Sequence, residues 1–189
     1  YSNKSLIIDN EAFYNCYSLS SILIPASIST IGKRAFMNCT KLKHVEFGNR
    51  KVLSKNKTII HYDPPDLIRL NGIGDEAFKN CSSLESFRIP DFCYVVGSSS
   101  FMNCTSLRSI NFHGKNIITI RFRTFKNCTS LTYFNLKVNY DAKSKFAIES
   151  ESFMNCSALK EVIVEANFLP RNIFDVNIKK LPNYCLSTK

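Results

Sequence analysis

A seven-residue frame, Phe-x-Asn-Cys-x-x-Leu, returns six times in this chain and constrains its folding more than any other feature. The copies start at Phe13, Phe36, Phe78, Phe101, Phe125 and Phe153 and read FYNCYSL, FMNCTKL, FKNCSSL, FMNCTSL, FKNCTSL and FMNCSAL. Successive Phe residues are 23, 42, 23, 24 and 28 positions apart. A unit this short cannot bury its own apolar face, so neighbouring units must stack. The chain is therefore expected to be one repeat domain over residues 1–189, and its 44% hydrophobic content is enough to supply a continuous core.

The frame extends on both sides of the Phe. Five residues before it stand Ile8, Ile31, Ile73, Val96, Ile120 and Ile148; one residue before it stand Ala12, Ala35, Ala77, Ser100, Thr124 and Ser152. After the Leu comes Leu-x-x-apolar-x-apolar, as in Leu84/Phe87/Ile89 and Leu131/Phe134/Leu136. Apolar residues two apart read as a strand with both side chains inward. Phe and Cys three apart read as one turn of α- or 3₁₀-helix. Asn10, Asp75, Ser98 and Ser150 are placed to cap that turn, and Gly32, Gly74 and Gly97 to bend into it.

Six of the eight cysteines (Cys16, Cys39, Cys81, Cys104, Cys128 and Cys156) share one repeat position. Equivalent positions stack with parallel side chains, so a buried ladder of thiols is expected rather than disulfides. Cys93 and Cys185 lie outside the frame and could pair, although no sequence feature requires it. The 42-residue interval holds an insertion over about 48–68, which is a hairpin, a degenerate repeat or a disordered loop. A smaller insertion lies near residues 137–145, and 166–189 reads as a degenerate repeat or a cap. The chain begins inside repeat-like sequence, as an excised or processed fragment would. An uncapped end would expose core and strand edge, and self-association there is expected.

The combined frame stands intact in LSSILIPASISTIGKRAFMNCTKL, residues 19–42. It resembles the BspA-type (Treponema pallidum-like) leucine-rich repeats over about residues 6–165. That resemblance implies an α/β repeat solenoid: a right-handed leucine-rich-repeat horseshoe with a parallel β-sheet on the concave face and short helical or 3₁₀ turns on the convex face. It also implies surface-exposed proteins of mucosal bacteria and of parasitic protozoa such as Trichomonas and Entamoeba, linked to adhesion and antigenicity. Departures from the frame are the long interval, Arg121 in place of the Gly before Phe125, Glu149 at the equivalent place before Phe153, and the faded C-terminal end.

The frame residues are structural, so binding residues must lie elsewhere. Outward strand positions form the candidate ligand-binding face: Ser21 and Leu23, His44 and Glu46, Ser86 and Arg88, Ser109 and Asn111, Tyr133 and Asn135, Glu161 and Ile163. A flat, polar array of this kind suits protein or glycan contact. The net charge of +10 favours an anionic partner, but the basic residues cluster off this face. Arg50, Lys51, Lys55 and Lys57 form a candidate basic loop, and Lys115, Arg121, Arg123, Lys126, Lys179 and Lys180 add to the excess. The frame Asn38, Asn80, Asn103, Asn127 and Asn155 match the N-glycosylation pattern but are expected to bond backbone at the end of the turn. Asn3 also matches, and Asn56 in the insertion is the candidate glycan site.

Catalysis finds no support. His44, His61 and His113 are scattered, no metal-ligand spacing occurs, and the frame thiols have no adjacent base. Gly72-Ile-Gly74 fits the repeat better than a dinucleotide loop, so no cofactor is expected. No nucleic-acid module is present, and no apolar run is long enough to span a membrane. Elimination leaves a non-enzymatic binding module, and the resemblance implies a cell-surface or secreted adhesin or antigen in contact with protein or glycan of host cells or matrix. The alternative is a cytoplasmic leucine-rich-repeat scaffold for protein–protein interaction.

Overall fold

The computed structural model describes residues 6–48, 51–53, 57–59, 68, 70–90, 92–112, 119–136, 147–164 and 184–186. For residues 51–53, 57–59, 136, 163–164 and 184–186 it describes the backbone alone. The sequence expectations for Asn3, Arg50, Lys55, Asn56, Lys115, Lys179, Lys180 and residues 137–145 fall outside the described residues.

Each repeat contributes two short strands that join two different parallel sheets. The Ile positions five before the Phe build a six-stranded sheet from β1 (Leu6–Ile8), β3 (Ile28–Ile31), β7 (Gly72–Ile73), β9 (Val95–Val96), β11 (Thr119–Ile120) and β13 (Ala147–Ile148), in that spatial order. The segments after the frame Leu build β2 (Ser21–Ile24), β4 (His44–Phe47), β8 (Ser86–Ile89), β10 (Ser109–Phe112), β12 (Tyr133–Leu136), β14 (Glu161–Val164) and β15 (Tyr184–Leu186). Of these, β2 pairs with β4, and β8, β10, β12, β14 and β15 form a five-stranded parallel sheet. Strand β4 sits beside β8, where Phe47 and Phe87 meet edge to face at 5.8 Å. The sequence reading foresaw one of these sheets. The second follows because an apolar residue repeating at a stacked position makes a ladder wherever the chain is extended.

Within the long interval, β5 (Lys51–Leu53) pairs antiparallel with β6 (Lys57–Ile59), so a hairpin occupies this part of the insertion. At the far end, β15 extends the sheet by pairing with β14, with Val162 opposite Tyr184.

The core is a stack of rings. Phe13, Phe36, Phe78, Phe101, Phe125 and Phe153 lie face to face with centroid spacings of 4.9, 5.0, 5.3, 5.6 and 5.5 Å. From Phe36 onward each is fully buried. Phe87 and Phe134 enter from the second sheet and pack edge-on between successive rings. The offset and T-shaped geometry satisfies the ring quadrupoles that a perfect sandwich would oppose.

The segments between Phe and Cys are not helical, which corrects the expectation of α- or 3₁₀-turns. No helix occurs among the described residues. Each segment is instead a run of overlapping tight turns. In one repeat Ala35 N–H donates to Gly32 C=O, Met37 to Arg34, Cys39 to Phe36 and Leu42 to Cys39. The intervening amides point the other way: Arg34, Phe36 and Asn38 donate to Asp75, Ala77 and Lys79 of the next repeat. Helix is broken twice per repeat by a left-handed residue. One lies two before the Phe (Glu11, Arg34, Glu76, Ser99, Arg123, Glu151) and one two after it (Asn15, Asn38, Asn80, Asn103, Asn127, Asn155), all with φ between 55° and 65°. A positive φ at the third residue is what a type II turn requires, and Asn tolerates it better than any other residue with a side chain.

Two smaller expectations change with this. Asn10 and Asp75 do not cap their own turns; Asn10 Oδ1 accepts from Lys33 N–H and Asp75 Oδ1 from Ser98 N–H, each at 2.7 Å in the next repeat. Ser98 and Ser150 likewise lie within turns rather than before helices. The glycines are required by close approach rather than by a bend. A Cβ on Gly74 would lie 2.7 Å from the Gly32 carbonyl carbon, and one on Gly97 would lie 2.5 Å from that of Gly74. Where Arg121 and Glu149 stand in place of glycine above a preceding repeat, the ring spacing is widest, at 5.6 and 5.5 Å.

Phe101→Ala is expected to cost about 3–5 kcal/mol in denaturant unfolding, because the ring is stacked on both faces. Gly97→Ala is expected to cost about 1–3 kcal/mol through the backbone clash, with no cavity formed. An effect below about 1 kcal/mol for Phe101→Ala would be incompatible with the ring column.

Candidate binding face and the columns behind it

Residues at one repeat position form a column, and most polar frame residues are consumed in columns. The asparagines make an amide ladder. Asn38 Nδ2 donates to Asn15 Oδ1 at 2.8 Å, Asn80 to Asn38, Asn103 to Asn80 and Asn127 to Asn103 at 2.7 Å, and Asn155 to Asn127 at 2.9 Å. This corrects the expected side chain-to-backbone bond. It also weighs against glycan on the frame asparagines, because each Nδ2 is already engaged with its neighbour and the inner members are partly buried.

The thiols form a second ladder. Each Sγ–H donates to the Phe carbonyl of the preceding repeat: Cys39 to Phe13, Cys81 to Phe36, Cys104 to Phe78, Cys128 to Phe101 and Cys156 to Phe125, at 3.1–3.2 Å. All seven described cysteines are free, including Cys93, whose thiol lies 3.3 Å from the Val95 carbonyl. Burial pushes the Cys39 thiol up to about 11 and those of Cys93 and Cys156 to about 12. Burial raises Cys81, Cys104 and Cys128 as well. The nucleophilic thiolate is thus suppressed along the ladder.

A third column is ionic and runs along the left-handed position before the Phe. Arg34 contacts Glu76 at 2.7 Å and Glu11 at 3.4 Å, and Lys79 joins Glu76. Arg123 contacts Glu151 at 2.7 Å, with Lys126 at 3.9 Å, and the Arg123 guanidinium also lies over the Phe122 ring at 4.3 Å. Hydrogen bonds from Lys79 and Arg34 hold the Glu76 carboxyl below its ordinary range, and Arg123 does the same for Glu151. Arg123 and Lys126 are therefore not an open basic patch, as their sequence clustering suggested. Arg121 is exposed.

The outward strand residues stand outside these three columns. Parallel pairing without slip places them in two rows. Ser21 aligns with His44, and Ser86, Ser109, Tyr133 and Glu161 align in turn. Leu23 aligns with Glu46, and Arg88, Asn111, Asn135 and Ile163 form the second row. Ser21, His44, Glu46, Ser86, Asn111 and Tyr133 are exposed; Leu23, Arg88, Ser109, Asn135 and Glu161 are partly so. The alternate residues Val45, Phe87, Ile110, Phe134 and Val162 are buried. One sheet face is thus spent on the core and the other is a polar plane. Lys51 and Lys57 lie on the hairpin strands, opposite Ile59 and Leu53 respectively.

Further apolar surface is exposed at the N-terminal end, where Leu6 and Ile7 retain 52% and 57% of their accessible surface. Among the described residues no group of His, Cys, Asp and Glu is placed to hold a metal ion, and no helix is long and apolar enough to cross a membrane.

The family model described as BspA type leucine rich repeat region matches in six copies, over residues 3–60 and 71–175. No curated protein matches the chain. Among solved structures, the T. pallidum leucine-rich repeat protein TpLRR has TM-score 0.51 at 23% identity, over 82% of this chain and 71% of that one. A leucine-rich cell surface protein of Faecalibacterium prausnitzii has TM-score 0.51 at 26% identity, over 82% of this chain and 42% of that one. The pneumococcal vaccine antigen PcpA has TM-score 0.54 at 20% identity, again over 82% of this chain and 42% of that one. All three are bacterial, so the protozoan setting named from the sequence draws no support from them. The likeness to TpLRR and PcpA carries the fold and not a ligand.

Three measurements check the columns. Asn103→Ala loses two ladder bonds and is strained at φ 64°, whereas Asn103→Gly loses only the bonds. The Ala variant is expected to be less stable than the Gly variant by about 1 kcal/mol. Glu76 and Glu151 have depressed carboxyl values, so their contribution is present above the ordinary carboxylate value of about 4.3 and is lost as pH falls through the folded values. Glu76→Gln is expected to flatten the fall in melting temperature below about pH 4. Among the described thiols, partly exposed Cys16 should react first with an aromatic disulfide reagent, and the buried six should react only on unfolding.

Proposed function

Because the chain belongs to the BspA-type leucine-rich-repeat family, we propose that it is a non-enzymatic binding module of a cell-surface protein, contacting protein or glycan through the outward face of its parallel sheet. One observation carries this reading. The stacking columns use up the Asn, Cys, Phe and paired charged side chains of the frame, and the plane from Ser21 to Glu161 lies outside those columns, mostly polar and regular in register. Regular solenoid surfaces present long rows of side chains at fixed spacing, which suits extended contact with a macromolecule. A surface setting is supported by two structural relatives, one described as a cell surface protein and one as a vaccine antigen.

The free thiols are the observation that favours a cytoplasmic scaffold. Their burial weakens that argument, because thiols held near 11–12 form almost no thiolate and withstand an oxidising exterior.

The test is adhesion of the purified protein to epithelial cells and matrix-coated wells. Tyr133→Ala combined with Asn111→Ala is expected to weaken binding by about tenfold or more while the melting temperature holds. Lys51→Ala with Lys57→Ala is expected to change mainly the salt dependence. Full binding by the sheet-face variant, with loss in the lysine variant, would move the site to the hairpin.

A further inference from the structure

Among the described side chains, six basic residues are exposed and outside every ion pair: Lys33, Lys41, Lys43, Arg108, Arg121 and Lys160. Three of them share one repeat position, immediately before strands β4, β10 and β14. In successive repeats that position reads Lys43, Glu85, Arg108, Thr132 and Lys160, and all five residues are exposed.

The row is fixed by its own backbone ladder. Glu85 N–H donates to Lys43 C=O at 3.4 Å, Arg108 to Glu85 at 2.9 Å, Thr132 to Arg108 at 3.2 Å and Lys160 to Thr132 at 3.0 Å. The Thr132 hydroxyl also donates to the Arg108 carbonyl, at 3.3 Å. Each member therefore stands one strand spacing, about 4.8 Å, from the next. The cations occupy alternate members, so Lys43, Arg108 and Lys160 follow one another at roughly 10 Å. A carboxylate and a hydroxyl fill the places between them.

This spacing discriminates among anionic partners. An extended acidic peptide returns to one face every second residue, about 7 Å, and falls out of step with the row. Nucleic acid carries a phosphate per about 3.4 Å of each strand, and charges that dense meet Glu85 as well as the cations. A polyproline-type acidic peptide repeats at about 9 Å, but such helices are held in aromatic-lined grooves. Tyr133 is the one aromatic among the described outward residues of this face. A linear glycan with one carboxylate per disaccharide repeats its charge over two sugar rings, close to two strand spacings. Its neutral ring carries hydroxyl donors, which a carboxylate between two cations accepts.

We infer that the Lys43–Arg108–Lys160 row docks a linear uronic-acid glycan, one carboxylate per disaccharide, laid across the strands. Successive carboxylates take Lys43, Arg108 and Lys160. The intervening neutral rings lie over Glu85 and Thr132, with Ser86, Ser109 and Tyr133 beside them in the next outward row. The assignment names a ligand class for the sheet-face reading above and rests on that reading.

Titration calorimetry of the full chain at low ionic strength, with hyaluronan and unsulfated chondroitin octasaccharides, tests it. At least one should bind, and Arg108→Gln should weaken it about tenfold, the loss of one charged hydrogen-bonded contact. Lys43→Gln and Lys160→Gln should weaken it too. Lys33→Gln and Arg121→Gln remove equally exposed charges outside the row and should leave it unchanged. Glu85→Lys closes the gap between cations and should strengthen heparin binding more than octasaccharide binding. No binding of either octasaccharide would overturn the row. So would equal losses in Lys33→Gln and Arg108→Gln, equal gains in Glu85→Lys, or tighter Arg108-dependent binding of a Glu-Pro-Pro repeat peptide. If both octasaccharides fail while Tyr133→Ala with Asn111→Ala still weakens cell adhesion, the sheet-face reading survives and the row falls. If that variant adheres in full, both fall.

Discussion

Half of the turn amides in every repeat have no partner inside that repeat. Arg34, Phe36 and Asn38 donate forward to the next turn, and the same alternation recurs from Glu11 to Asn127. A lone repeat would leave these donors to water and its ring faces open, so the unit of stability is the pair and not the repeat. This constraint sets the rest. Turns must superpose closely enough for a hydrogen bond, which brings the backbone of Gly74 against Gly32 and of Gly97 against Gly74 and excludes a Cβ there. Superposition also places like residues above like, and only side chains that can satisfy a copy of themselves are suited to the columns. Asparagine carries a donor and an acceptor and can chain indefinitely. Phenylalanine stacks. Cysteine reaches a carbonyl one repeat back. Charged residues must alternate in sign, as Glu11, Arg34 and Glu76 do.

The same logic explains how the chemistry of the frame is disarmed. Thiols and amides are the groups from which catalytic and metal sites are made, yet here each is committed to a neighbour of its own kind or to backbone. The ladder thiols are also desolvated, which opposes the charged form. The fold thus removes its most reactive side chains from use and leaves recognition to residues with no stacking duty.

Much of this was legible in the sequence. The repeat, its inward Phe, Leu and Cys, the outward strand rows and the stacked thiols all follow from a frame repeated six times. The turns were misread because an i, i+3 pair faces one side in a helix and also across a tight turn. The distinguishing sign was present in Asn at a fixed place two after the Phe, the residue best suited to positive φ. The amide ladder and the ionic column were not legible in any one repeat, because they are relations between repeats. The unpaired atoms of Arg88 and Asn135 belong to this last class: the sequence placed both on the face, but only the structure shows them two strands apart, buried and unpaired.

Internal repetition also separates what the fold needs from what it permits. Across six copies, the Phe, Asn and Cys positions do not change, and each is explained by a column. At the second outward strand position the copies read Leu23, Glu46, Arg88, Asn111, Asn135 and Ile163, six residues of four chemical kinds at one repeat position. Stacking would tolerate one residue repeated, so the variation marks a row outside the repeating columns. Apolar side chains stand at its ends, with acid, guanidinium and amides between them. A row outside the columns is where residues can vary without breaking the ladders, and its most polar stretch lies on the strands that carry the buried unpaired atoms of Arg88 and Asn135.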